Sequence, residues 1–392
     1  MKSSKVLTAA VLACFISLSA NAKTKPAKKE ISFPEEVAAI VVADYSKHIF
    51  NTYTELLKSN KALLATLEAF TKAPSLETQN AAKAAWLSAR AVYSPTEAFR
   101  FYGGPIDDAE TGPEGLMNAW PLDEAYVDYV KEDANAGIIN NTKLYPKITK
   151  DVLISLNEKD GEKNISTGYH AIEFLLWGQD FDLKSAGKRS FEDYIKEKNP
   201  NAERRATYLK LLAQILVEHT ETLVKAWDPS VKGNYVERFL KEPKKDVIQK
   251  ISLGLGTLSM DEMSGERLTV PLEKNDQENE QNCFSDTTEK DMLANQNGIM
   301  NIYTGNYNGF KGAGLGSFIS AVDAKGDKKI QNHMNKTHKL IESLKTFDNI
   351  IVEKKNGAGR KKANQTIDAL QLQAKLLAKS IHLVGMDINI EH

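Results

Sequence analysis

The stretch "EEVAAIVVADYSKHIFNTYTELLKSNKALLATLEAFTK", residues 35–72, decides the fold class. Its apolar positions Val37, Ile40, Val41, Tyr45, Ile49, Tyr53, Leu56 and Leu57, then Leu63, Leu64, Leu67 and Phe70, recur at intervals of three and four. That recurrence draws one stripe along a helix, whereas a half-buried strand would alternate at every second residue. The spacing predicts an amphipathic helix with a break near Ser59-Asn60.

The same spacing continues outward from this stretch. After Pro74, Ser75 is placed to cap an alanine-rich helix over "SLETQNAAKAAWLSARAVYSPTEAFRFY", and Pro95 inside it predicts a kink, since proline lacks a backbone donor and clashes with the preceding turn. "GGPIDDAETGPEG" reads as loop. Further helices are predicted at about 122–133, 143–157, 168–177, 202–227, 240–266, 287–301, 317–324, 328–353 and 362–384. No convincing alternating pattern is present. The class is all-α, built as helical bundles.

A chain of 392 residues exceeds the roughly 250 to 300 at which single cores stop growing, so two domains are expected. The boundary falls near "KEKNPNAERR", giving an N-terminal bundle at 34–200 and a C-terminal one at 201–392. Each half offers two long helices, a carboxylate-rich loop and a short polar motif, the arrangement of an internal duplication. Residues 1–22 read as a cleavable signal peptide: Lys2 and Lys5 precede "VLTAAVLACFISLSA", and Ala20-Asn21-Ala22 offers a small-x-small cleavage site. Residues 23–33 are then a disordered lead-in, and the expected compartment is the bacterial periplasm. A rival reading takes Cys14 as a lipidated cysteine. No later run reaches the roughly 18 apolar residues of a membrane span. Removing the leader takes away Cys14 and leaves Cys283 without an intrachain partner. It also removes two of 51 basic residues, leaving 49 against 52 acidic ones, a balance that argues against nucleic acid.

Chemistry concentrates in "GYHAIEFLLWGQD", residues 168–180. His170 and Glu173 lie on one side of an otherwise apolar helix, close enough to face one small target. Thr167 or Ser166 is placed to cap that helix, whose N-terminal field favours neutral imidazole and carboxylate, the metal-coordinating forms. The bland alternative is a hydrogen-bonded pair inside a domain interface. A second stripe, Trp86, Arg90, Tyr93, Glu97 and Arg100, mixes aromatics with both charges on one helix face, and a buried Glu97 needs partners. Glu97 is the candidate third ligand beside His170 and Glu173; a structural salt-bridge stripe is the alternative. Carboxylates with one imidazole suit iron or zinc. Tyr93, Arg90, Arg100 and Gly168 would shape the pocket, and Ser285 and Asp286, near the start of a later helix, would reach it from the second domain. The zinc-peptidase pattern His-Glu-x-x-His is absent, since Phe174 stands where a second histidine would be needed. The remaining histidines, His48 among them, read as surface or interface residues.

The blocks "WLSARAVYSPTEAFRFYGGPID", "NAWPLDEAYVDYV", Gly-x-His-x-x-Glu as Gly168, His170 and Glu173, "GERLTVPLEKNDQENEQNCFSDTTEKD" and "GIMNIYTGNY" resemble, in this order, the imelysin-like family and its iron-regulated protein A branch. The resemblance implies an exported bacterial protein of two related helical bundles, with a site at their interface around His170 and Glu173. It also implies a link to iron uptake, and a metallopeptidase label inherited from a relative. The leading expectation is a metal-associated binding protein whose partners are iron or another divalent ion such as zinc, and an iron-uptake membrane component or a peptide. A metallopeptidase and a non-catalytic peptide- or partner-binding module remain the alternatives.

Overall fold

The stripe at 35–72 folds as one 38-residue helix, α1 (Glu35–Lys72), within a computed structural model that describes residues 31–390. The leader and residues 23–30 of the lead-in lie outside the described residues. Ile40, counted on the stripe, is 56% exposed, while Val41, Tyr45, Ile49, Tyr53, Leu56, Leu63, Leu67 and Phe70 are buried. The helix does not break at Ser59-Asn60. Asn60 is fully buried, its Nδ2 donates to Thr220 Oγ1 (2.9 Å), and its Oδ1 accepts from the Tyr169 hydroxyl (2.7 Å). A polar residue inside an apolar stripe is thus satisfied by side chains from two other helices, not by an opening of its own.

Ser75 caps α2 (Leu76–Tyr93) in a reciprocal box: the Thr78 amide donates to Ser75 Oγ (3.2 Å) and the Ser75 amide to Thr78 Oγ1 (3.1 Å). At Pro95 the chain tightens into a 3-10 segment, Ser94–Phe99, where the expectation was a kinked α-helix. Then follow α3 (Gly168–Trp177), α4 (Ala202–Trp227), α5 (Lys244–Thr257), α6 (Thr288–Thr304), α7 (Leu315–Val322), α8 (Ala324–Glu342) and α9 (Ala358–His382). Beyond α5 the coil widens into a π-helical stretch, Leu258–Thr269, where the sequence predicts plain helix to 266. The helix expected at 122–133 shrinks to Glu124–Val127, and that at 143–157 to Lys150–Leu156. The one expected at 328–353 divides into α8 and Phe347–Ile351. Among the described residues the paired strands are a two-residue hairpin, Asn306–Tyr307 against Phe310–Lys311. The protein is all-α in class.

Helices α1 to α4 pack against one another, with α4 along α1 and α3. The π stretch, α5, α6, α8 and α9 form a second group. The sequence boundary near residue 200 precedes α4, whose main partners nevertheless lie in the first group. The groups meet where α6 crosses Ser94–Phe99 and α1 touches α5. At the first crossing a Cβ on Gly298 would stand 2.3 Å from the Pro95 carbonyl oxygen, so only glycine permits the approach. The loops between α2 and α4 are tied down by Asp128, fully buried between Arg189 (2.6 Å) and Arg205 (2.7 and 2.8 Å). Among the described residues no helix is long and apolar enough to cross a membrane.

Candidate functional site

All ten residues of α3 are buried. Its first residue, Gly168, has φ +87°, and a Cβ there would lie 2.7 Å from the Met117 carbonyl oxygen. Gly168 therefore positions the helix against the Met117–Asn118 backbone. The expected side-chain cap does not form: the Thr167 hydroxyl donates to Asn157 Oδ1 (3.1 Å) and Ser166 Oγ to the Leu153 carbonyl (2.7 Å). Both hydroxyls anchor a neighbouring loop.

One turn in, His170 Nδ1 stands 3.0 Å from Glu173 Oε2. Glu173 Oε1 accepts two bonds from Ser285, from its amide (3.0 Å) and its hydroxyl (2.7 Å), and the hydroxyl also meets Thr287 Oγ1 (2.7 Å). Both carboxylate oxygens are engaged. His170 Nε2 is sealed from solvent and has no hydrogen-bond partner. Burial first, then the Arg90 and Arg267 guanidiniums, push the imidazole well below its ordinary range, so it is neutral. Burial pushes Glu173 up to about 8, although the Ser285 bonds and Arg90 pull the other way.

The mixed stripe turns inward as a unit, with Trp86, Arg90, Tyr93 and Glu97 all buried. Arg90 Nε donates to Asp291 Oδ2 (2.9 Å), a second guanidinium nitrogen bonds the same oxygen, and a third reaches Asn118 Oδ1 (2.5 Å). The guanidinium carbon lies 5.1 to 5.8 Å from the ring centroids of Tyr169, Tyr93 and Trp86, which accounts for aromatics on a charged face. Glu97 is held by Arg267, by Arg100 (3.3 Å) and by Asn295 Nδ2 (3.2 Å). Burial raises its pKa, but Arg267, Arg100 and Arg90 outweigh that and hold it below the ordinary value, as an anion. Arg100 also bridges to Glu114 (3.0 Å), and the buried Tyr93 hydroxyl has no partner.

Of the residues expected to gather, His170, Glu173 and Ser285 do. Glu97 does not join them as a ligand. Its hydrogen bonds go to guanidiniums and an amide, because a buried anion is best satisfied by the fixed donors that the π stretch and α6 bring to it. Asp286, expected beside Ser285 in the same pocket, instead groups with Glu280 and Asp348. The residues that reasoning from sequence missed are Asp291, Asn295 and Arg267. Asp291 and Asn295, four apart on α6, share a face and carry a legible signal. Arg267 carries none, because its direction depends on the π geometry. His48, read as surface or interface, is buried against Phe99 and Tyr307, and burial pushes it down to about 4.

A family model described as Imelysin matches residues 49–377. The chain belongs to the imelysin family. The chain is similar to Iron-regulated protein A of Synechococcus elongatus, 24% identical over 262 residues that cover 65% of this chain and 60% of that relative. The chain thus spans about 60% of the length of the curated relative it matches. Two solved structures share the imelysin fold. A protein of Parabacteroides distasonis described as an iron-regulated protein A precursor has a TM-score of 0.69 and 18% identity, over 91% of this chain and 98% of that one. An imelysin-like protein of Psychrobacter arcticum has a TM-score of 0.65 and 11% identity, over 92% and 99%.

Proposed function

We propose that this imelysin-family chain is an exported binding protein of bacterial iron acquisition that takes a metal ion, iron or another divalent ion such as zinc, at His170. One observation carries the reading: Nδ1 of the ring meets a carboxylate while Nε2 is buried and without a partner. Metal-ligating histidines have this form, since the carboxylate fixes the tautomer and raises the basicity of the free nitrogen. Burial and the nearby guanidiniums keep the ring neutral, which is the coordinating state.

The donor set fits a single-histidine attachment better than a closed three-ligand centre. Glu173 serves as the ring's partner, and Glu97 stays with Arg267 unless that ion pair opens. Because Nε2 is sealed in the metal-free protein, an ion would enter only as the surrounding side chains part, and its remaining coordination positions would go to the molecule delivered with it. A bound ion would act as a Lewis acid toward that molecule. Arg90 stands close enough to lower the pKa of the imidazole, and Ser285 fixes Glu173. Export is supported by the precursor description of the Parabacteroides protein, and the leader reading points to the periplasm. A membrane component of iron uptake or a peptide is the partner class.

Calorimetric titration of Fe²⁺ and Zn²⁺ into metal-free protein tests the reading. Heats that vanish in His170→Ala are expected, and equal heats in the variant and the wild type would discard it. A metallopeptidase reading draws on one observation, that Glu173 sits near neutrality and so suits acid–base work. Cleavage of a denatured protein that persists in Glu173→Gln would sink it.

A further inference from the structure

Ser285 closes the His170 site, and the residue after it faces elsewhere. Asp286 Oδ, Glu280 Oε and Asp348 Oδ lie within 4.8 Å of one another, an all-carboxylate group in which one loop supplies two members and a distant segment the third. Glu280 follows the short turn Gln277–Asn279, Asp286 has a left-handed backbone (φ +51°), and Asp348 lies in Phe347–Ile351. This is no solvated acidic patch: Glu280 is 1% exposed and Asp348 is 4% exposed. Glu280 Oε1 and Asp286 Oδ1 are both buried atoms without a hydrogen-bond donor. The charges weighing most on Glu280 are Asp348 and Asp286, and those on Asp286 are Asp348, Asp180 and Glu289. Every one is a carboxylate, and no lysine or arginine stands among them.

Three other buried carboxylates are met by guanidiniums, Asp128 by two, Asp291 by one and Glu97 by two, while Glu173 is met by Ser285 and His170 and Asp327 by Tyr303 and Gln331. The trio has no such cationic partner: Glu280 is hydrogen-bonded to Thr288 and Asp348 and Asp286 to Asp180, and Glu280 Oε1 and Asp286 Oδ1 are left buried without any hydrogen bond. We propose that Glu280, Asp286 and Asp348 form a second cation site, separate from His170, that takes a hard divalent ion of the calcium and magnesium class. An oxygen-only donor set on loops and helix ends is the environment such ions select, while thiolate and imidazole, which favour the transition metals, are missing from it. Asp286 is only half-buried and provides the way in. Asp180, close to Asp286, is the further carboxylate within reach. Because Glu280 and Asp286 bracket the segment that carries Ser285, the ion would also clamp the loop that holds Glu173.

The test is calorimetric titration of CaCl₂ and MgCl₂ into chelator-treated protein, for the wild type, Glu280→Gln, Asp348→Asn and His170→Ala. Wild type should bind one ion. Losing a direct ligand in Glu280→Gln or Asp348→Asn should weaken binding by at least the roughly tenfold that loss of a supporting partner costs. His170→Ala should bind calcium normally, and Asp348→Asn should keep its Zn²⁺ heats, so failure of this site and failure of the His170 reading are told apart. Without any ion, Asp348→Asn should melt no lower than wild type, since the charge that most opposes ionisation of Glu280 and Asp286 is gone. If it misfolds, Asp286→Asn, at the half-buried member, reads the same loss of calcium binding. No calcium or magnesium heat in wild type would overturn the proposal. Undiminished heat in the variants, or a lower melting temperature of ion-free Asp348→Asn, would mean that the trio is a proton-sharing acid network.

Discussion

Raising the pH from 6.5 to 8 should tighten metal binding at His170 by roughly 15-fold, and the cause is Glu173. While Glu173 is protonated, its hydroxyl donates to Nδ1 across the 3.0 Å contact, so the imidazole proton occupies Nε2 and blocks attachment. Once ionised, Glu173 accepts from Nδ1–H and the Nε2 lone pair is free. Burial pushes Glu173 up to about 8, so binding at pH 6.5 must first expel one proton. At about 1.36 kcal/mol per pH unit that expulsion costs roughly 2 kcal/mol at pH 6.5 and roughly 0.4 kcal/mol at pH 8, where half of the group is still protonated, and the difference corresponds to the roughly 15-fold. Calorimetry with Zn²⁺ in two buffers of different ionisation heat counts the protons: about one released at pH 6.5 and about half at pH 8. An affinity flat across this range, with no proton release, would refute the assignment of Glu173 as the ring's partner.

Metal-free protein should show the same group in its stability. The folded pKa of Glu173 lies above the ordinary 4.5, so the folded state binds the extra proton and is progressively destabilised as pH climbs from about 4.5 to about 8. Glu173→Gln should flatten that decline, whose upper bound is about 5 kcal/mol, in urea denaturation at pH 5 and pH 8. Asp128→Ala should cost about 3 to 5 kcal/mol by the same denaturation assay, because Arg189 and Arg205 are left buried without their shared anion. Gly168→Ala forces a side chain into a left-handed position against the Met117 carbonyl, and should cost on the order of 1 to 3 kcal/mol and weaken Zn²⁺ binding as His170 shifts. Unchanged melting and unchanged heats in that variant would mean that the start of α3 does not position the ring.

What the chain reveals locally is reliable where one interaction range suffices. The faces of α1 and α4 and the Ser75 cap follow from periodicity and capping, which act over a few residues. Asn60 shows the limit: in sequence it interrupts a stripe, and only Thr220 and Tyr169, 160 and 109 residues away, make it a packed member of the core. The same holds for the extent of the helices around 122–133 and 143–157, where loops anchored by Asp128, Asn157 and Arg204 override an adequate helical pattern.

By itself the sequence determined an all-helical chain, the pairing of His170 with Glu173 on one helix, and the burial of a charged and aromatic stripe, since each is a matter of spacing along one rod. Tertiary structure alone decided that Glu97 answers to Arg267, that Ser285 answers to Glu173, and that Asp286 turns toward Glu280 and Asp348. A buried charge is satisfied by whichever partner the packing brings within about 3 Å, and nothing in local sequence records which distant residue that will be.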